Sequence, residues 1–126
     1  MKKLSPFFAL VLLVFAGCVE NTITNLTPSQ LTRNASRQYL VECEWRSNQQ
    51  SVRPVSIRPF VIIGFDAYEM RPALRMNNRW EVLVTIPANQ DSVTYHFKAD
   101  YEYNGFGKTG KGSVISSEYK LKIVEN

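Results

Sequence analysis

Histidine occurs once in this 126-residue chain, at His96, and cysteine twice, at Cys18 and Cys43. Metal centres draw on several imidazoles and thiolates, so this supply excludes a histidine-rich site, and the expected complement of metals and cofactors is none. The longest apolar run, Phe7 to Ala16, has ten residues. As a helix it would extend roughly 15 Å, about half the hydrocarbon core of a bilayer, which excludes a spanning anchor. Internal repeats and low-complexity tracts are also lacking. Charge is modest: 15 Lys and Arg against 11 Asp and Glu. Two of those lysines, Lys2 and Lys3, flank the apolar run, and without them the excess falls from +4 to +2. A nucleic-acid partner needs a basic face that so small an excess does not supply. The local excess of Arg46, Arg53, Arg58, Arg71, Arg75 and Arg79 over Asp66 and Glu69 reads as a solvated rim.

What is present begins with the leader. Met1-Lys2-Lys3, the apolar run and the small residues Ala16-Gly17 before Cys18 form the three parts of an export signal. Phe15-Ala16-Gly17-Cys18 resembles the lipobox of bacterial lipoproteins, with Phe15 where that family most often has leucine. The resemblance implies cleavage before Cys18, a diacylated Cys18 sulfur and an acylated new amine. Val19 stands where an aspartate would signal inner-membrane retention, which implies delivery to the outer membrane. The expected organisation is a signal peptide at 1–17, a lipidated N-terminus and short tether at 18–21, and a globular domain at 22–126.

Lipidation of Cys18 leaves Cys43 without an intrachain partner. In Tyr39-Leu40-Val41-Glu42-Cys43-Glu44-Trp45-Arg46 the odd positions are Tyr, Val, Cys and Trp, so Cys43 shares the inward face of a strand as an inert buried thiol. The same period of two runs through 79–86, with Trp80, Val82, Val84 and Ile86 on one side. It continues through 92–103, where every even position is polar, and through Tyr119, Leu121 and Ile123. Val55 to Ile63 is apolar but carries Pro59 and follows Pro54, which predicts an edge strand or a break between two short ones. Asp66 to Met70 reads as a short strand, 71–78 as a connection and Thr22 to Pro28 as a first strand stopped by proline. About seven strands in some hundred residues predict an all-β, antiparallel sandwich, each sheet wet on one side.

Tyr95-x-Phe97-x-Ala99-x-Tyr101, then Asn104-Gly105-Phe106-Gly107 and Ser116-Ser117, is similar to the penultimate strand and following hairpin of fibronectin type III and related immunoglobulin-like domains. That resemblance implies that Trp45 is the buried tryptophan of an early strand. It also implies that Tyr95 is a corner tyrosine whose hydroxyl ties back to the preceding loop. There is no inter-sheet cysteine pair, and the spacing from Pro87 to Tyr95 is longer than the usual fibronectin turn.

The segment NGFGKTGKGSV, residues 104–114, holds four glycines and two lysines. Gly105-x-Gly107-x-x-Gly110 matches a dinucleotide fingerprint, and Gly105-x4-Gly110-Lys111 matches most of a phosphate loop. Both chemistries need a helix after the loop, whose N-terminal amides face the phosphate. Residues 113–119 show no helical period, so the glycines read as positive-φ positions in a long, mobile hairpin loop opened by Asn-Gly. Other constellations are weaker. His96 and Asp100 lie about 13 Å apart on one strand face, beyond a hydrogen bond. Glu42 with Glu44 and Asp100 with Glu102 have roughly the spacing of glycosidase carboxylates, but alternation generates such pairs automatically. The sequons at Asn25 and Asn34 are idle in a bacterial envelope.

The expectation is therefore a non-enzymatic, membrane-anchored envelope lipoprotein that serves as a protein-interaction module. Its candidate site residues are Cys18 for lipid attachment and Phe106, Lys108 and Lys111 as binding-loop contacts. The alternative is a carbohydrate-binding module, because Trp80 to Pro87 with Tyr95-x-Phe97 is also similar to starch-binding sandwiches. That function requires exposed aromatic platforms, and only Phe60, Phe65, Tyr68 and Phe106 escape the inward pattern.

Overall fold

A computed structural model describes residues 19–126; the leader 1–17 and Cys18 lie outside the described residues. Period-two alternation becomes strand throughout. The strands are β1 (Asn21–Asn25), β2 (Gln30–Thr32), β3 (Gln38–Ser47), β4 (Arg58–Ile63), β5 (Asp66–Glu69), β6 (Arg71–Pro72), β7 (Arg79–Thr85), β8 (Ser92–Asn104), β9 (Thr109–Ile115) and β10 (Tyr119–Val124). One sheet has the order β1-β3-β7-β6; the other runs β2-β10-β8-β4-β5, with β9 also paired to β8. Every pair is antiparallel except β2 with β10. That one parallel pair arises because the first strand splits. Thr27-Pro28 interrupts it after it has paired with β3, and the chain resumes as β2 on the opposite sheet. The result is an immunoglobulin-like β-sandwich.

Alternation also places the core. Tyr39, Val41, Cys43 and Trp45 of β3, with Val84 of β7, face Val61, Tyr95, Phe97, Ala99, Leu121 and Ile123 of the other sheet, all buried. Each large side chain removed from water there contributes about 1.5–3 kcal/mol, so this row carries the fold without a disulfide.

Three sequence expectations change. Pro59 lies inside β4, a strand with neighbours on both sides, rather than at an edge. The reason is local. β5 ends at Glu69 opposite Phe60, and Met70 donates its N–H to the Pro59 carbonyl at 2.9 Å. A residue's N–H and C=O point to the same side, so the donor that proline lacks falls where the chain is leaving for β6 on the other sheet, and costs no ladder bond. The expected connection at 71–78 thus contains the short strand β6.

The third change concerns Tyr95. It is a buried tyrosine near the start of its strand, but its hydroxyl accepts from Asn25 Nδ2 of β1 at 2.9 Å, not from the preceding loop. The bond thus ties β8, an interior strand of one sheet, to β1 at the edge of the other.

β9 and β10 are one interrupted strand. Residue numbers of partners on β8 and β9 shift by one on passing to β10, which places a bulge at 116–118. There the Ser116 N–H donates to the Phe97 carbonyl at 2.9 Å, and the Ser116 hydroxyl accepts from the Phe97 N–H at 2.8 Å. One serine thus satisfies both backbone groups where the ladder slips.

Candidate functional site

The 104–114 segment is a hairpin, as expected, but its loop is short. β8 continues to Asn104 and β9 starts at Thr109, leaving Gly105 to Lys108 as the turn, closed by Gly105 N–H on the Lys108 carbonyl at 2.9 Å. Of the segment's glycines only Gly107 has a left-handed backbone, at φ +76°. Gly110 and Gly112 lie within β9, opposite Tyr103 and Tyr101. A Cβ at either position would fall inside the facing tyrosine ring. These glycines therefore make room for aromatic rings rather than for a phosphate. The turn leads directly into strand β9, so the helix that a phosphate loop needs at this point is replaced by a strand.

The rings close one end of the sandwich. Trp45 and Tyr101 stand 5.6 Å apart and Tyr101 and Tyr103 6.4 Å apart, centroid to centroid. The Tyr101 hydroxyl accepts from Asn21 Nδ2 at 3.0 Å. Beyond this cluster the hairpin carries Phe106 fully into solvent, with Lys108 and Lys111 also exposed. These three expected contact residues share one hairpin but form no enclosed cavity together.

On the outer face of β8 an open groove of about 520 Å³ is lined by Arg58, Lys98, Asp100, Glu102, Lys111 and Ser113, among others. Apart from Lys111, its charges are mutually engaged. Arg58 holds Glu69 with two bonds of 3.1 and 3.3 Å, and this carboxylate raises the guanidinium's pKa. Asp100 accepts from Ser113 Oγ at 2.8 Å and lies 3.6 Å from Lys98, while Glu102 pairs with Arg53 at 3.2 Å. A ligand would have to compete with these pairs. Arg46 and Arg71 likewise meet Glu44 and Glu81, which matches the reading of the arginines as a solvated rim.

Cys43 is 1% exposed, in the core, with its Sγ 3.7 Å from Met70 Sδ. Burial pushes the thiol up to about 12, the opposite of what a nucleophile needs. The aromatic rings form no sugar platform among the described residues: Trp45 is 4% exposed, Trp80 and Tyr68 pack on the core, and Phe60 lies beneath Arg58. Phe65, at the β4–β5 turn, and Phe106 are fully exposed at opposite ends of the molecule.

Sequence reasoning missed the β6–β7 loop, where Leu74 is 89% exposed and Met76 half-exposed. Arg75 and Asn78 both adopt φ of 63°, so the loop is a pair of tight turns that hold apolar side chains outward. Asn77-Asn78 was the available signal, since asparagine tolerates that backbone.

Fold and surfaces together define an immunoglobulin-like sandwich with loop-borne apolar tips. No family model matches the chain, and neither does any curated protein. Among solved structures it is similar to that of murine CRIg, with 10% identity and a TM-score of 0.44 over 85% of this chain and 98% of the other.

Proposed function

We propose that this chain is a lipid-anchored protein of the bacterial cell envelope, at the outer membrane, acting as a non-catalytic protein-interaction module. The observation that carries the reading is the junction of leader and fold. Phe15-Ala16-Gly17-Cys18 ends a basic and apolar leader, and β1 begins at Asn21, so the acceptor cysteine stands directly before the sandwich. Acyl chains contribute about 0.8 kcal/mol per buried methylene, and two or three chains on one residue hold a protein at a bilayer. The Phe65 turn and the Phe106 hairpin, the latter with Lys108 and Lys111, are two apolar tips that rigid strands present, and loops on such scaffolds are where binding concentrates.

The anchor is tested by fractionation and mass spectrometry. Wild type is expected in the membrane fraction with an acylated Cys18. Cys18→Ser is expected in the periplasm or as uncleaved precursor. An unmodified Cys18 in the mature wild type refutes the anchor. Pull-down from detergent-solubilised envelope, with Cys18→Ser as control, addresses the partner.

A further inference from the structure

The sandwich has two ends, and the chain enters β1 from one of them. Glu20 is pinned to the β3–β4 loop by a pair of bonds: its N–H donates to Asn48 Oδ1 at 2.6 Å and its carbonyl accepts from the Asn48 N–H at 3.0 Å. Only Val19, itself exposed, separates that clamp from Cys18. Two residues of extended chain reach at most about 7 Å, so an acyl group on Cys18 cannot stray far from this end.

The same end carries the exposed apolar loops. The β6–β7 loop leaves the sheet there, because Trp45 N–H donates to the Asn78 carbonyl at 2.8 Å and Ala73 N–H to the Arg79 carbonyl at 2.8 Å. The β8–β9 hairpin leaves there too. Asn21 bonds Tyr101, and Phe106 lies five residues further along, roughly 16 Å if extended. The hairpin thus projects in the direction from which the chain enters β1. Phe106, Leu74, Met76 and Val55 are exposed apolar residues of this end, with Arg75 and Arg79 on the β6–β7 side and Lys108 on the hairpin. At the opposite end Arg33 is neutralised by Asp91 and Glu125, each at 2.7 Å, and Arg37 is exposed.

From this juxtaposition, and resting on the lipoprotein reading above, we infer that the Cys18 end is a membrane-docking surface: the acylated domain sits on the bilayer with Phe106 and Leu74 inserted at the interface and the basic side chains against anionic headgroups. Apolar tips ringed by cations are the arrangement that partitions to a lipid interface, whereas an apolar tip in water gains nothing. The domain is then held at a fixed attitude instead of tumbling on a tether. The distal end, with Phe65, is turned outward for the protein partner.

The test uses the acylated mature protein in vesicles of phosphatidylethanolamine and phosphatidylglycerol that contain bromine-labelled acyl chains. Tryptophan is placed by Phe106→Trp, by Leu74→Trp, or by Phe65→Trp at the distal end, and wild-type emission from Trp45 and Trp80 is subtracted. Near-ultraviolet circular dichroism checks the fold, and mass spectrometry verifies acylation of Cys18 in each sample. Emission from residues 106 and 74 is expected to shift to the blue and be quenched several-fold more than that from residue 65. Adding Arg75→Gln and Lys108→Gln is expected to reduce the quenching. Acylated protein with equal quenching at all three positions overturns docking while leaving the anchor intact. Strong protection of residue 106 by a protein, without quenching, also overturns it. An unmodified Cys18 overturns both.

Discussion

Raising the pH should invert the stability order of the wild type and Cys43→Ala. The buried thiol is raised from an ordinary 9.0 to about 12 by loss of hydration, whereas the unfolded chain exposes it. A group whose folded pKa is raised contributes stability that is intact below the unfolded value and disappears as pH climbs from about 9 to about 12. At pH 8 the thiol is protonated in both states, and Cys43→Ala loses only packing against Met70 and its neighbours, about 1 kcal/mol. At pH 11 the unfolded thiol is almost wholly ionised and the folded one is not. At about 1.36 kcal/mol per unit, that difference destabilises the wild type by about 3 kcal/mol. Cys43→Ala escapes the penalty and should be the more stable protein by about 2 kcal/mol. Urea melts of both proteins at pH 8, 9, 10 and 11 measure this directly, because tyrosine and lysine titrations are common to the pair and cancel in the difference. Parallel pH dependence of the two proteins, or rapid alkylation of Cys43 in the native state at pH 8, would refute the placement of this thiol.

Gly110→Ala and Gly112→Ala should each cost about 1–3 kcal/mol in thermal melts, since the new methyl group meets a tyrosine ring; Gly110→Ala combined with Tyr103→Ala should lose less than the sum of the single changes. Tyr95→Phe should destabilise by about 1 kcal/mol or somewhat more, by leaving Asn25 Nδ2 without its acceptor at the sheet junction, and an unchanged urea midpoint would contradict that bond. Lys111→Ala should change stability by no more than about 0.5 kcal/mol. Titration with nucleotides or inorganic phosphate should leave the amide shifts of residues 104–113 flat, and saturable shifts abolished by Lys111→Ala would restore the phosphate-loop reading.

Strands with one wet face were legible because alternation is a local signal. β3, β7, β8 and β10 each announce their inward side in consecutive residues, and the core is built from those sides. What stayed hidden depends on which strand lies next to which. Pro59 reads as an edge residue on its own, and becomes acceptable in a central strand only because β5 departs at Glu69. β2 has three residues and no pattern of its own; its place comes from the backbone of β10.

The glycine-rich segment shows the same division at the candidate site. The hairpin and the solvent exposure of Phe106 could be read from adjacent residues, although the turn lies at Gly105 to Lys108 and not at Asn104-Gly105. The role of Gly110 and Gly112 could not, because it depends on a register that sets Tyr103 against Gly110 and Tyr101 against Gly112. Once that register is known, the glycines, the tyrosines, Trp45 and Asn21 become parts of one end-cap, and Asn21 is the residue at which the chain arrives from Cys18. The tilted Tyr101–Tyr103 contact and the Glu20–Asn48 bonds bring the Phe106 hairpin and the entry of the chain into β1 to the same end of the sandwich, so an acyl group on Cys18, as proposed above, would lie on the side toward which the hairpin projects.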